Sequence, residues 1–399
     1  MEQTLAYTSM LERARAIQDQ IIAWRRDFHR HPELGFQEFR TAGVVAETLR
    51  GMGIEVSTGV GKTGVVAVIG EGAPVIGIRA DMDALPILEA NTASYKSEND
   101  GVMHACGHDA HTAILLGVAQ MLTDLPDRPA GQFRLFFQPC EEAADDEGKS
   151  GAQRMMDEGI MDGVDRVIAL HVASELPAGK IAIEPGYVSA AVDNFYATII
   201  GKGCHAASPH FGVDPIFLLA QVINAIHGIR ARRISPVRPI IVSIGSVHGG
   251  IAENVIPNEV EISGTLRSYD DETREALWRE LEIALGVARA LGGDFKLAIQ
   301  KGCPSIINNE AVVNSIRDVS HDLLGADALI TDEPSLGGED FSFMTRAAPG
   351  AMFLLGAKKD DIDRPHHNPL FDLDEESFAI GAAVLAETAL RLNREVGNG

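Results

Sequence analysis

The densest chemistry in the chain lies in nine residues, Met103-His104-Ala105-Cys106-Gly107-His108-Asp109-Ala110-His111, with three histidines, one cysteine and one aspartate. Cys106 and His108 stand two apart, just before a predicted helix, so an extended loop can turn both toward one point. Thiolate and imidazole together suit a zinc-like ion; the plainer alternative is a buried thiol beside loop histidines. The second signal is Gln138-Pro139-Cys140-Glu141-Glu142, which ends the apolar run Phe133–Phe137. Neighbouring side chains of an extended chain point apart, so one carboxylate can bind metal while the other takes a proton from water. A solvated acidic loop, continued by Asp145-Asp146-Glu147, is the alternative. Asp81 and Asp83 follow the run Val75–Arg79, His171 closes Val167–Leu170, and His366-His367 lies between Pro365 and Asn368-Pro369. Ligands of open α/β sheets gather at the carboxyl ends of strands, and that convergence accounts for all of these residues at once.

The elements needed to position them are legible. Helical spacing of Leu11, Ile17, Ile21, Ile22 and Trp24 predicts helix over much of the first 50 residues, with another from Thr41 to Leu49. Strands are expected at Ile54–Ser57, Val65–Ile69, Val75–Arg79, Phe133–Phe137 and Val167–Leu170, and an apolar helix at His108–Leu122. Their continuous apolarity fits strands buried on both faces. From about Pro185 the order becomes strand (Phe195–Ile200), helix (Asp214–Ile229), strand (Ile240–Val247), strand (Glu259–Arg267), helix (Thr273–Leu291), strand (Phe295–Ile299). That is the β-α-β-β-α-β plan of a ferredoxin-like domain. The expected organisation is therefore a discontinuous α/β domain, 1–185 and 305–399, carrying an inserted domain at 186–304. Gly59-Val-Gly61-Lys-Thr-Gly64 matches G-x-G-x-x-G, but the strand-like Val65–Ile69 follows it where a helix is required. A P-loop would also need Gly where Val56 stands, so a hairpin turn is expected there.

Lys plus Arg number 34 and Asp plus Glu 57, a net charge of −23. Such a chain repels phosphate, which argues against nucleic-acid binding. The four cysteines form no C-x-x-C pair, which fits a reducing compartment. The first residues lack a signal-peptide core, and no uncharged apolar run reaches the ~18 residues of a membrane span. A cytoplasmic soluble enzyme or binding protein without membrane contact is expected.

In order along the chain come Arg26-x-x-His29-x-x-Pro32-Glu33-Leu34 with Glu38 and Thr41, Arg79-Ala-Asp81-Met-Asp83-Ala-Leu-Pro86, the His104–His111 block, and Gln138-Pro-Cys-Glu-Glu142. Leu170-His171, Gly203-Cys-His205-Ala-Ala with Pro209-His210, Gly249-Gly with Asn254-Val-Ile-Pro257, and Gly264-Thr-Leu-Arg267 follow, then Gly338-Glu-Asp340-Phe and His367-Asn-Pro369. Nearly end to end, this pattern resembles the co-catalytic metallopeptidase and amidohydrolase family of aminoacylases, hippurate hydrolases and auxin-conjugate hydrolases. The resemblance implies a mixed-sheet, zinc-peptidase-like catalytic domain and an inserted domain that serves as lid and dimerisation surface. It implies two divalent ions (Zn, Mn, Co or Ni) held by Cys106, His108, Glu142, His171 and His367. Glu141 takes the general-base position, and Asp83 that of a carboxylate orienting a ligand. His205 matches a lid histidine that reaches the scissile carbonyl, and Asn254 and Arg267 match positions holding the substrate carboxylate or oxyanion. His104, His111, His210 and His366 are expected in support. Asp81 stands where the dipeptidase branch has a ligating His, which places the chain nearer the hippurate and auxin-conjugate branch. The implied reaction is hydrolysis of N-acyl or N-aroyl amino acids by a homodimer or larger homo-oligomer. A dipeptidase or aminopeptidase of the same fold, or a non-catalytic metal-binding relative, is the alternative. Cys140 and the long acidic Ala143–Ser150 loop depart from the family pattern, where a small residue and a short Gly-rich turn are usual.

Overall fold

The computed structural model describes residues 9–331 and 335–398. The chain divides into two compact units. One comprises the chain up to Gly186, the stretch from Ile307 to residue 331, and everything from Asp340 onward; the other comprises Tyr187–Ile306 with residues 335–339.

The first unit is built on a mixed sheet. Its eight described strands run in the order Glu55–Val60, Gly64–Glu71, Gly131–Gln138, Val75–Asp81, Arg166–Pro177, Gly350–Lys358, Ile181–Ala182, Leu329–Ile330. The four central strands, Gly131–Gln138 through Gly350–Lys358, are mutually parallel. Val75–Asp81 is buried along nearly its whole length, which is what a continuous apolar run in a central parallel strand requires. Helices Met10–Ala16, Gln18–Arg30, His108–Thr123 and Phe378–Gly397 pack on one another and on these strands. Their apolar stripes merge with the sheet into a single core. Glu55–Val60 and Gly64–Glu71 pair antiparallel, with Lys62 at φ +82° in the connection. The glycine-rich match is therefore a hairpin turn, as expected, with no helix behind it to receive phosphate.

Parallel register explains why distant sequence motifs meet. Asp81 pairs with Gln138, and Arg79 with Ala169. Two residues further along the latter pair, His171 stands level with Asp81. His171 does not close its strand, however. The strand runs on to Pro177 because Leu354 and the residues after it keep pairing with it. The side chain thus projects from mid-strand at the height where its neighbours end.

The second unit has an antiparallel sheet in the order Ile240–Gly249, Glu259–Ser268, Ala191–Ile200, Asp294–Lys301. Helices Pro215–Arg232 and Asp271–Leu285 bury a separate apolar cluster against it. The order is that of a ferredoxin-like fold. The single helix expected over Thr273–Leu291 is two, Asp271–Leu285 and Val287–Ala290, divided at Gly286, the weakest helix former in the run. The C-terminal helix starts at Phe378 rather than Glu375, after a short 3₁₀ turn at Glu375–Ser377.

One glycine ties fold to site. Gly107 caps the helix His108–Thr123 at φ +93°, and a Cβ there would lie 2.2 Å from Val172 Cγ2. Left-handed backbone and overpacking both oppose a side chain. Gly107→Ala should lower stability by roughly 2–5 kcal/mol, the sum of those two penalties. Urea unfolding measures this, and an unchanged midpoint would contradict the packing argument.

Candidate metal centre

His108 opens the first turn of its helix, fully buried. Its Nδ1 lies 2.9 Å from the Asp83 carbonyl oxygen and 3.1 Å from Asp83 Oδ1. Both are acceptors, so Nδ1 carries the proton. Nε2 is buried with no hydrogen-bond partner among the described residues, and buried ring nitrogens rarely stay so. It sits 3.6 Å from Asp81 Oδ2 and 3.9 Å from Glu142 Oε1. Around it, Cys106 Sγ lies 3.6 Å from His171 Nε2, and His367 Nε2 lies 2.9 Å from Glu142 Oε1. His171 Nδ1 is spent on the Val172 carbonyl at 2.8 Å, which turns Nε2 toward Cys106. The five residues expected to ligate metal form two donor triads, Cys106–His108–His171 and Cys106–Glu142–His367, that share Cys106. Glu141 joins a third with His108 and Glu142.

The electrostatics favour a cation. Burial works against a protonated His108, yet Asp81, Asp83 and Cys106 hold its pKa well above the usual histidine value. Burial also opposes ionised Glu142, but His367 and His108 bring its pKa below the ordinary carboxylate value. Burial, reinforced by Glu142, pushes the Cys106 thiol well up. A thiolate becomes the stable form there only if positive charge arrives. An unpartnered imidazole nitrogen, a thiol short of a counter-cation and a carboxylate are a donor set that fits two divalent ions.

The surroundings fix these donors. The carboxylate of Asp83 accepts from His108 with Oδ1 and from the Glu142 amide, at 3.0 Å, with Oδ2. It therefore orients an imidazole and a carboxylate together, the arrangement expected around metal ligands. Asp81 does the same for His111. Its Oδ1 is 2.6 Å from His111 Nδ1, while Val172 donates its amide to His111 Nε2 at 2.9 Å. Burial takes the His111 pKa down to about 4. With both ring nitrogens engaged, His111 is a pin between two strands, although it lies near enough to His108 to be mistaken for a ligand.

Two residues whose importance motif reading did not assign are Arg79 and Asp340. The fully buried Arg79 donates from Nε to Gln138 Oε1 at 2.9 Å, from Nη1 to Asp81 Oδ2 at 2.7 Å, and from Nη2 to Asp340 Oδ1 at 3.0 Å. The Asp340 amide lies 3.4 Å from Glu141 Oε1. The signal available was an arginine inside an otherwise apolar strand, since such a charge must be paired. His366 packs on the rings of His171 and Phe371, and burial drives its pKa to about 2. His104 is buried, with its pKa lowered to about 4 by burial. In the second unit, His205 and Asn254 are brought together. His205 pairs with Val255 across a short ribbon, and the Asn254 carbonyl accepts from the Ala206 amide at 3.0 Å. Arg267 is half-buried near the end of Glu259–Ser268, 3.5 Å from the Leu336 carbonyl, and burial lowers its pKa. His210 lies on the surface against Phe211.

A model of "Peptidase family M20/M25/M40" matches residues 77–391. The chain belongs to this family. It is therefore a hydrolase of amide bonds. It is similar to an N-acyl-L-amino acid amidohydrolase of Geobacillus stearothermophilus, 45% identical over 73% of this chain and 79% of the relative. It is also similar to thermostable carboxypeptidase 1 of Saccharolobus solfataricus, 40% identical over 96% of this chain and 97% of that one. A dinuclear metal-binding M20 peptidase from Bacillus subtilis superposes with a TM-score of 0.82 at 34% identity, covering 95% of this chain and 99% of the other.

Asp83→Ala should weaken metal affinity by roughly 10–100-fold, the usual effect of removing a carboxylate behind ligands. Competition with a chelator of known affinity measures it. Unchanged affinity would remove Asp83 from the centre.

Proposed function

We propose that the protein hydrolyses N-acyl amino acids, with N-acetyl and N-aroyl amino acids as the substrate class, to a carboxylate and a free amino acid. The observation that carries this reading is the pair of donor triads sharing Cys106, with Glu141 beside both His108 and Glu142. The named activities of the two relatives point the same way. A carboxypeptidase and an N-acyl-amino-acid hydrolase both break the amide on the amino side of a residue with a free carboxylate.

Cys106, His108 and His171 would hold one divalent ion and Cys106, Glu142 and His367 the other, with Zn, Mn, Co or Ni compatible with the donors. When bound, such ions supply Lewis acidity toward the carbonyl and acidify water. The chain's own part is proton movement. Glu141 takes a proton from water as its oxygen attacks the carbonyl carbon. The C–N bond then breaks, and Glu141 passes the proton to the departing nitrogen. The Asp340 amide holds Glu141 by Oε1. For His205 as oxyanion donor, and Asn254 and Arg267 as carboxylate binders, the motif positions are the support. An Arg suits a carboxylate because its fork can bond both oxygens.

The expected assembly is a homodimer or larger homo-oligomer in the cytoplasm. No helix among the described residues is long and apolar enough to cross a membrane.

The test pairs metal analysis with assays on one purified sample. About two ions per chain are expected, with amide hydrolysis lost on chelation and regained with Zn, Mn, Co or Ni. N-acetyl or N-benzoyl amino acids should be cleaved faster than free-amine dipeptides; the reverse order would establish the dipeptidase alternative. Glu141→Gln should cut kcat by roughly 10²–10⁴-fold, the range for a general base, with metal content kept. Full activity in that variant would refute the assignment.

A further inference from the structure

Glu141 and Glu142 do not simply end a strand. The strand stops at Gln138, and Cys140 turns the chain with φ +44°, in the left-handed region that a non-glycine residue seldom adopts. Something must hold this turn. The Cys140 carbonyl accepts from the Gly151 amide at 2.8 Å. The Cys140 amide donates to Glu38 Oε1 at 2.8 Å, and Glu38 Oε2 accepts from the Thr63 hydroxyl at 2.5 Å. Glu38 has no exposed surface.

The placement of Glu38 is unusual in another respect. It stands at the cap position of helix Phe39–Gly51, yet its side chain makes no capping bond. Glu33 does that work, accepting from the amides of Arg40 at 3.0 Å and Thr41 at 2.8 Å. Glu38 is thereby free to reach a residue 102 positions away. Burying a carboxylate is costly, and burial with nearby Asp83 raises its pKa to about 7. A role confined to the helix would not call for that cost. Gly35 closes the same turn from the other side, since a Cβ there would lie 2.6 Å from Cys140 Sγ.

We propose that Glu38 is a positioning residue for the carboxylate pair. By holding the Cys140 amide, it sets the turn that aims Glu141 and Glu142 at the metal donors. The proposal rests on the reading of Glu141 as base and Glu142 as ligand. It also gives the Cys140 departure from the family pattern a place, because the backbone of residue 140, rather than its thiol, is what the latch grips.

The test uses the metal-loaded protein with N-acetyl amino acids. Glu38→Ala should lower kcat by ~10–100-fold, the scale of an ångström-sized misplacement, while KM stays within about twofold. Glu38→Gln keeps an acceptor for the Cys140 amide and should stay within about threefold of wild type. A readout independent of activity is alkylation of Cys140 in the folded protein, followed by peptide mass spectrometry. Glu38→Ala should raise its rate at least ~10-fold, and Glu38→Gln should leave it unchanged, if the turn opens as local structure does when its hydrogen bonds are lost. Wild-type kcat in Glu38→Ala, equal damage from Ala and Gln, or unchanged Cys140 protection in Glu38→Ala would each overturn the latch. If Glu38→Ala fails to fold, Gly35→Ala presses on the same turn and should lower kcat, and adding Cys140→Gly should restore part of it; no restoration would count against the latch. A wild type that hydrolyses no amide would sink the proposed function alone, and Cys140 protection would still judge the latch.

Discussion

A buried guanidinium is the constraint on which the site depends. The Arg79 side chain lies inside a central strand with no exposed surface, so its charge must be compensated by neighbouring groups. Gln138, Asp81 and Asp340 provide that compensation, each by a direct hydrogen bond. Two of the partners are strand ends and the third begins the final stretch of the first unit. Pairing Arg79 thus brings into register the pieces of chain that carry the donors.

Asp340 shows how far this reaches. Its Oδ1 takes both Arg79 and the Gln138 amide nitrogen, its Oδ2 takes the Ala152 amide at 3.0 Å, and its own amide touches Glu141. Burial would otherwise favour a neutral Asp81, yet Arg79, then His108 and His111, hold its pKa well below the ordinary carboxylate value. Ionised, it pins His111, which in turn receives the Val172 amide beside His171. A second buried pair acts behind the helix of His108. Arg25 Nε bonds Asp109 Oδ2 at 2.9 Å, and the same oxygen lies 2.6 Å from His29 Nδ1. Asp109 follows His108 directly in sequence, so this network fixes the helix turn that carries His108. The net charge of −23 is thus not spread evenly: the buried acids here are each tied to a named cation or amide.

Much of this was legible from residue types. Continuous apolar runs marked the parallel strands, and a break in composition near Pro185 marked the ferredoxin-like unit. The His104–His111 block, the Glu141-Glu142 pair, His171 and the His366-His367 pair stood out by residue type and place, whereas singling out Cys106, His108, Glu142, His171 and His367 as the ligand set came from the family resemblance. What could not be read was anything set by register. That His171 lies mid-strand follows from pairing with Leu354, 183 residues later. That His111 is a pin and His108 a donor depends on which ring nitrogen finds an acceptor, although both open the same helix. The pairing of Glu38 with the Cys140 amide spans 102 residues and involves a backbone group, which carries no sequence signature. Reading the Glu141-Glu142 pair as extended chain also missed the left-handed turn at Cys140, because any residue but glycine argues against one.

The acidic loop after the pair invites a different reading from its composition. Three acids in a row, Asp145-Asp146-Glu147, suggest a surface that gathers cations for the centre. The contacts argue otherwise. Asp145 accepts from Lys62 at 2.6 Å, from Arg154 at 2.7 Å and from the amides of Glu147 and Lys149. Glu147 lies 3.0 Å from Arg154. The Asp145 pKa is held well below the usual carboxylate range, chiefly by Lys62. Two of the three carboxylates are therefore already neutralised by the chain itself, and the remaining Asp146 is too little to concentrate divalent ions. These pairs also have a geometric effect. Lys62 belongs to the hairpin turn and Arg154 to the helix Gly151–Asp157, and Asp145 joins the two across the loop. The longer loop is thus a tethered stretch directly after Glu142, held by contacts of its own acids.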